Sequence, residues 1–122
     1  MSVRTTTVVA ALAAAALLPA AADAHVELVA SAPQAGASIA VPKAARAVTA
    51  TFSGQIRSGT IVVRNRSGVV VSTGAGGIDP RNVRRLKTML KANRKPGRFS
   101  VTYTVVSADG HRESGRWAFS LR

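Results

Sequence analysis

The sequence predicts an all-β domain built as a two-sheet sandwich of about seven short strands. Three observations carry this. Apolar runs are brief and separated by Gly, Pro, Ser and Asn, apolar residues alternate with a period of two, and long helical periodicity is scarce. Many short strands within about 100 residues are the pattern of a sandwich.

The front of the chain stands apart. Arg4 precedes an apolar run of eleven, Val8 to Leu18, which Pro19 ends before the small-x-small triplet Ala22-Asp23-Ala24. This is the layout of a cleaved secretory signal. The run is too short for a stable membrane anchor, which needs about 20 apolar residues. The expected organisation is a signal over 1–24 and one domain over 25–122, placed in the periplasm or otherwise outside the cytoplasm.

Within the domain, "VELVAS" (26–31) reads as a first strand, followed by the turn-rich "APQAGAS". "AVTATFS" (47–53) alternates, with Val48, Ala50 and Phe52 on one face. "TIVVRNRSGVVVST" (60–73) reads as a hairpin turning near Ser67-Gly68. "GRFSVTYTVVS" (97–107) sets Phe99, Val101, Tyr103 and Val105 opposite Ser100, Thr102 and Thr104. Trp117, Phe119 and Leu121 alternate in a last strand and belong to the core. One stretch is open to two readings. In "RNVRRLKTMLKANRK" (81–95), Val83, Leu86 and Leu90 have helical spacing, whereas Leu86, Thr88 and Leu90 suit a strand.

Seventeen Lys and Arg face five Asp and Glu, and removing Arg4 with Asp23 leaves the net charge at +12. Such a field attracts anionic surfaces and repels free cations at long range. The 81–98 segment is its densest part. It reads as a solvated strand or turn edge, where cations discourage edge pairing, or as a surface for an anionic envelope polymer or lipid. No aromatic residues interleave its charges, which argues against a dedicated nucleic-acid site. The chain has no cysteine, which excludes disulfides, thiolate metal sites and thiol catalysis, so the domain depends on core packing.

The chemistry centres on two histidines. Cleavage after Ala24 makes His25 the first residue, and its free amine and Nδ1 then close a six-membered chelate on one metal ion. A second imidazole and a carboxylate come together in "SADGH" (107–111), where Asp109 and His111 flank Gly110. Three nitrogens and one oxygen in a tetragonal plane suit Cu(II). Asp109 is then an equatorial ligand or the partner that orients a ligand. Alternatively, Asp109-Gly110 makes a hairpin turn and nothing more. Glu27, two residues beyond the amine, is a further candidate for axial or water-mediated approach, and equally an ordinary surface carboxylate.

From His25 onward the chain resembles the CopC family of periplasmic copper-binding proteins. The pieces that carry the resemblance are "AHVELVASAPQAGASI", "VTATFSGQI", "GRFSVTYTVVSADGH" and "SGRWAFSL". The resemblance implies a Greek-key β-sandwich of the cupredoxin or immunoglobulin-like kind. It also implies one Cu(II) per chain, with His25, Asp109 and His111 as ligands. Arg112 stands where the family often has proline, and Tyr103 where it commonly has tryptophan. Met89 is the one methionine after the signal, so the second, methionine-rich Cu(I) site of some members is not expected.

The function these features imply is copper storage, delivery or resistance by a monomer, with a membrane copper transporter of the same pathway as partner. The direction of transfer is not written in the ligands. Protons compete for nitrogen ligands, so affinity is expected to fall below about pH 7. Two rival readings exist: a metal-independent basic module of the envelope, and a histidine-brace copper monooxygenase. The second needs an open coordination position and a substrate platform, for which five aromatic residues leave little material.

Overall fold

The computed structural model describes residues 25–122, so the signal segment 1–24 lies outside the described residues. Eight strands form: β1 Leu28–Ala32, β2 Ser38–Ile39, β3 Ala47–Phe52, β4 Ile56–Asn65, β5 Gly77–Asp79, β6 Asn82–Met89, β7 Gly97–Ser107 and β8 Arg112–Leu121. One sheet has the order β1-β3-β6-β5 and the other β2-β8-β7-β4. Pairing is antiparallel except for the short parallel contact of β2 with β8. A single turn of 3-10 helix, Val41–Lys43, joins β2 to β3. No helix among the described residues is long and apolar enough to cross a membrane.

Alternation puts one face of each long strand into the core. Val48, Ala50 and Phe52 of β3 meet Ile61 and Val63 of β4, Val101 and Val105 of β7 and Phe119 of β8, all nearly solvent-free. Trp117 is buried, and its indole Nε1 donates to the Pro33 carbonyl at 2.9 Å. Tyr103 contacts Phe52 edge-on, with ring centroids 5.3 Å apart. Its phenol lies over Gly115, its cross-strand partner, where a Cβ would collide with the ring.

The ambiguous stretch is a strand. Leu86, Thr88 and Leu90 are buried, whereas Val83, which the helical spacing required inside, is 54% exposed. Nor is β6 a sheet edge, because it runs between β3 and β5. The expected hairpin over 60–73 forms only in part. Asn65 Oδ1 accepts from Ser67 and Val69 N–H to shape the turn. Residues 69–73 then pass between the two sheets. Val71 N donates to Val63 O of β4, while Lys91 N donates to Val71 O and Thr73 N to Met89 O at the end of β6. A segment bonded to both sheets is spent on closing that end of the sandwich, and only isolated bridges at Val70 and Ser72 result.

The strand directions define two poles. The end of β3, the start of β4, the end of β7 and the start of β8 meet at one pole, where His25–Glu27 also lies. The end of β4, the start of β7 and the end of β8 meet at the other. Register shifts at Leu28/Ala30 and Ile56/Ser58 occur at the first pole. There they end regular pairing and free the backbone to form loops.

Candidate metal centre

The β7–β8 turn is organised by Ser107, which is buried although polar. Its N–H donates to His111 O at 2.8 Å, and its hydroxyl accepts from His111 N–H at 3.1 Å and donates to Asp109 Oδ1. Gly110 makes the reversal at φ +92°, a conformation that side chains resist, and donates to Ser107 O. Ala108 N–H to Gln55 O ties the turn to β4. "SADGH" therefore does form a turn, and the turn carries both side chains to the first pole.

Asp109 Oδ2 lies 3.2 Å from His111 Nδ1. A carboxylate on one ring nitrogen fixes the tautomer and leaves Nε2 outward as a donor atom. The Ser107 hydroxyl, with the backbone and ring N–H groups of His111, holds the Asp109 carboxyl below the usual carboxylate range. This outweighs the opposing effect of partial desolvation.

His25 arrives from the other side. Ser53, just past β3, clamps the preceding chain: Glu27 N–H donates to its hydroxyl at 2.9 Å, and Ser53 N–H donates to Glu27 O at 2.8 Å. His25 is thereby brought edge-on to His111, with ring centroids 5.1 Å apart and planes at 68°. Two imidazoles bound to one metal at about 2.0 Å have centroids roughly 4.5–6.5 Å apart, from cis to trans. The observed separation falls inside that span.

Glu113 is the residue the sequence reading missed. Its Oε1 is 2.7 Å from His25 Nδ1, the nitrogen that a chelate with the amine would use. Glu113 is the second residue of β8, and what brings it to His25 is the crossing of the β7–β8 turn, not a local spacing. Glu113 pairs with His25, and not with the neighbouring Arg112. The Glu27 carboxylate, by contrast, makes no hydrogen bond or ion pair with either imidazole. Side-chain exposures of 38–60% across His25, Glu113, Asp109 and His111 leave the cluster open to an incoming ion.

Each imidazole has its Nδ1 against a carboxylate. Among the described residues no group of three or more His, Cys, Asp or Glu is already gathered around one point. The donor chemistry fits a tetragonal N/O site, and side-chain rotation must complete it.

Several known proteins share this architecture. CopC from Methylosinus trichosporium OB3b aligns with a TM-score of 0.65 at 24% identity, covering 80% of this chain and 93% of that one. PcoC, a methionine-rich copper resistance protein from Escherichia coli, aligns with a TM-score of 0.61 at 24% identity, covering 81% and 100%. At such identity these likenesses establish the sandwich alone. No curated protein sequence matched the chain. The family model for the CopC domain matches residues 28–122, nearly the whole of the described region, and the chain belongs to the CopC family.

Proposed function

We propose that this chain is an extracytoplasmic carrier of one Cu(II) ion, serving copper storage, delivery or resistance and not turnover. The observation that carries the reading is the meeting of His25 and His111 at one pole, 5.1 Å between centroids, with a carboxylate on each ring. Family membership supports it, as does the description of the Escherichia coli relative as a copper resistance protein.

Copper is the cargo. His25 supplies Nδ1 and, once residues 1–24 are removed, its α-amine. His111 supplies a third nitrogen, and Asp109 turns from His111 to supply oxygen. Glu113 holds the His25 ring in the metal-free protein and releases Nδ1 as the ion arrives. Glu27 adds negative charge to the rim. Nitrogen and carboxylate donors in this number favour the cupric ion. They also leave no obvious open position for oxygen chemistry, which sets a carrier above a monooxygenase.

The test begins with mass spectrometry of the exported protein, which must start at His25. Cu(II) paramagnetic resonance is then compared with that of the same protein acetylated at the His25 α-amine. The expected result is nitrogen hyperfine structure from fewer nitrogens and at least a tenfold loss of affinity. An unchanged multi-nitrogen spectrum would show that the amine is not a ligand.

A further inference from the structure

The pole opposite the histidines holds a cavity of about 470 Å³ between the turn after β4 and the β6–β7 connection. That volume is within the usual range of small-molecule sites, about 300–1,000 Å³. Arg66, Lys91, Arg94, Lys95 and Arg98 line it, and no carboxylate does. The four acidic side chains among the described residues, Glu27, Asp79, Asp109 and Glu113, all lie in the histidine half. No acidic side chain among the described residues therefore neutralises the charge of the cavity.

The fold divides the basic segment 81–98. Arg81, Arg84 and Lys87 belong to β6 or its approach, where Arg81 and Lys87 lie near Asp79 and Arg85 pairs with that carboxylate at 3.6 Å. Lys91, Arg94, Lys95 and Arg98 instead converge on the cavity. Arg94 is held in place, because its Nη1 donates to the Ala44 carbonyl. Its Nε is shut off from solvent with no acceptor among the described residues. The covered Nε is out of a ligand's reach, but the Nη donors left over after the Ala44 bond are held in position and can meet an oxyanion end-on. Val69, Val70 and Pro96 add an apolar wall, and Val69 is 57% exposed.

From these observations we infer that the cavity is a binding site for a phosphate-bearing ligand, held by Arg94 with Lys95, Arg98, Arg66 and Lys91. The phosphate could be free or the head of an anionic phospholipid whose apolar part covers Val69 and Val70. The site is separate from the histidine pole, and the inference does not depend on copper.

Amide NMR of the exported protein in low salt tests this, with two titrants: inorganic phosphate and soluble dihexanoyl phosphatidylglycerol. The expected result is saturable shifts confined to residues 66–71 and 90–99. Tighter binding of the phospholipid assigns the site to a lipid headgroup, and equal or weaker binding assigns it to free phosphate. Lys95→Gln with Arg98→Gln is expected to weaken binding at least tenfold, and Arg94→Lys also weakens it by removing the fork while keeping the charge. Arg84→Gln and His111→Ala are expected to leave it unchanged. Absence of saturable shifts, shifts spread equally over Arg57, Arg81 and Arg84, or an Arg84→Gln loss as large as that of the double variant would overturn the inference.

Discussion

Ser107→Ala is the perturbation that most directly joins the fold to the proposed metal centre. The hydroxyl is buried, accepts His111 N–H at 3.1 Å and donates to Asp109. Removing it takes from His111 N–H its shorter side-chain acceptor and leaves the longer one, Asp109 Oδ1 at 3.4 Å, a change that costs about 1 kcal/mol. For a domain of this size that lowers Tm by about 4–8 °C. The larger consequence is at the site, since Asp109 loses the bond that most depresses its pKa and with it the hold on its rotamer. Partners that orient metal ligands typically contribute about 10–100-fold in affinity, and a loss of that size is expected in a competitive Cu(II) titration. Thermal unfolding of the metal-free protein measures the first effect separately. Ser107→Thr restores a hydroxyl at the same position and recovers part of the affinity. If Ser107→Ala binds copper within twofold of the parent, with the Asp109 carboxyl still titrating below its usual range by carbon NMR, Ser107 does not position this centre.

The Asp109 pKa is depressed, so its ionised form favours folding. That contribution is complete above the ordinary carboxylate value of 3.8 and is lost as pH falls through the lowered one. Asp109→Asn should accordingly flatten the acid limb of a plot of stability against pH. Tyr103 behaves in the opposite sense, because burial, helped by the nearby Glu113 charge, raises its phenol above 10.0. Its contribution is whole below that value and disappears as pH climbs through the raised one, and ultraviolet titration with Glu113→Gln should show part of the elevation removed. Gly115→Ala drives a methyl into the Tyr103 ring. Overpacking of this kind costs about 1–3 kcal/mol and would be read as a lower Tm. Glu113→Ala is expected to change the tautomer balance of the His25 ring in nitrogen NMR while leaving that of His111, which Asp109 holds, unchanged.

What could be read beforehand followed the strength of alternation. In β3 and β7 the inward positions are apolar at every second residue, and Val48, Ala50, Val101 and Val105 are indeed solvent-free. The strands β2 and β5, of two and three residues, are too short to display any period. The run Val69 to Val71 has no alternation because the chain there bonds to both sheets in turn. Over 81–95 two periods competed, and the exposed Val83 against the buried Thr88 decides for the strand. At the site, the histidines and Asp109 were legible because rare residue types stood in an informative setting. Ser107 and Glu113 are common surface types, and their part depends on distances across the turn that no local spacing encodes.

The separation of the poles resolves a tension in the charge. A domain with a net charge of +12 should repel a divalent cation, yet the proposed cargo is one. The Debye length is about 8 Å at physiological ionic strength, whereas β7, of eleven residues, runs about 35 Å from pole to pole. The cations around the cavity are therefore largely screened from an ion at the histidines. The charges that such an ion meets at close range include Asp109 and Glu113, each against an imidazole, with Glu27 on the same rim. Screening lets a local pair of carboxylates beside the imidazoles receive a cation while the opposite pole, whose cavity has no acidic side chain in its lining, receives an anion. It also explains why the net charge, read from composition alone, says little about what either end binds.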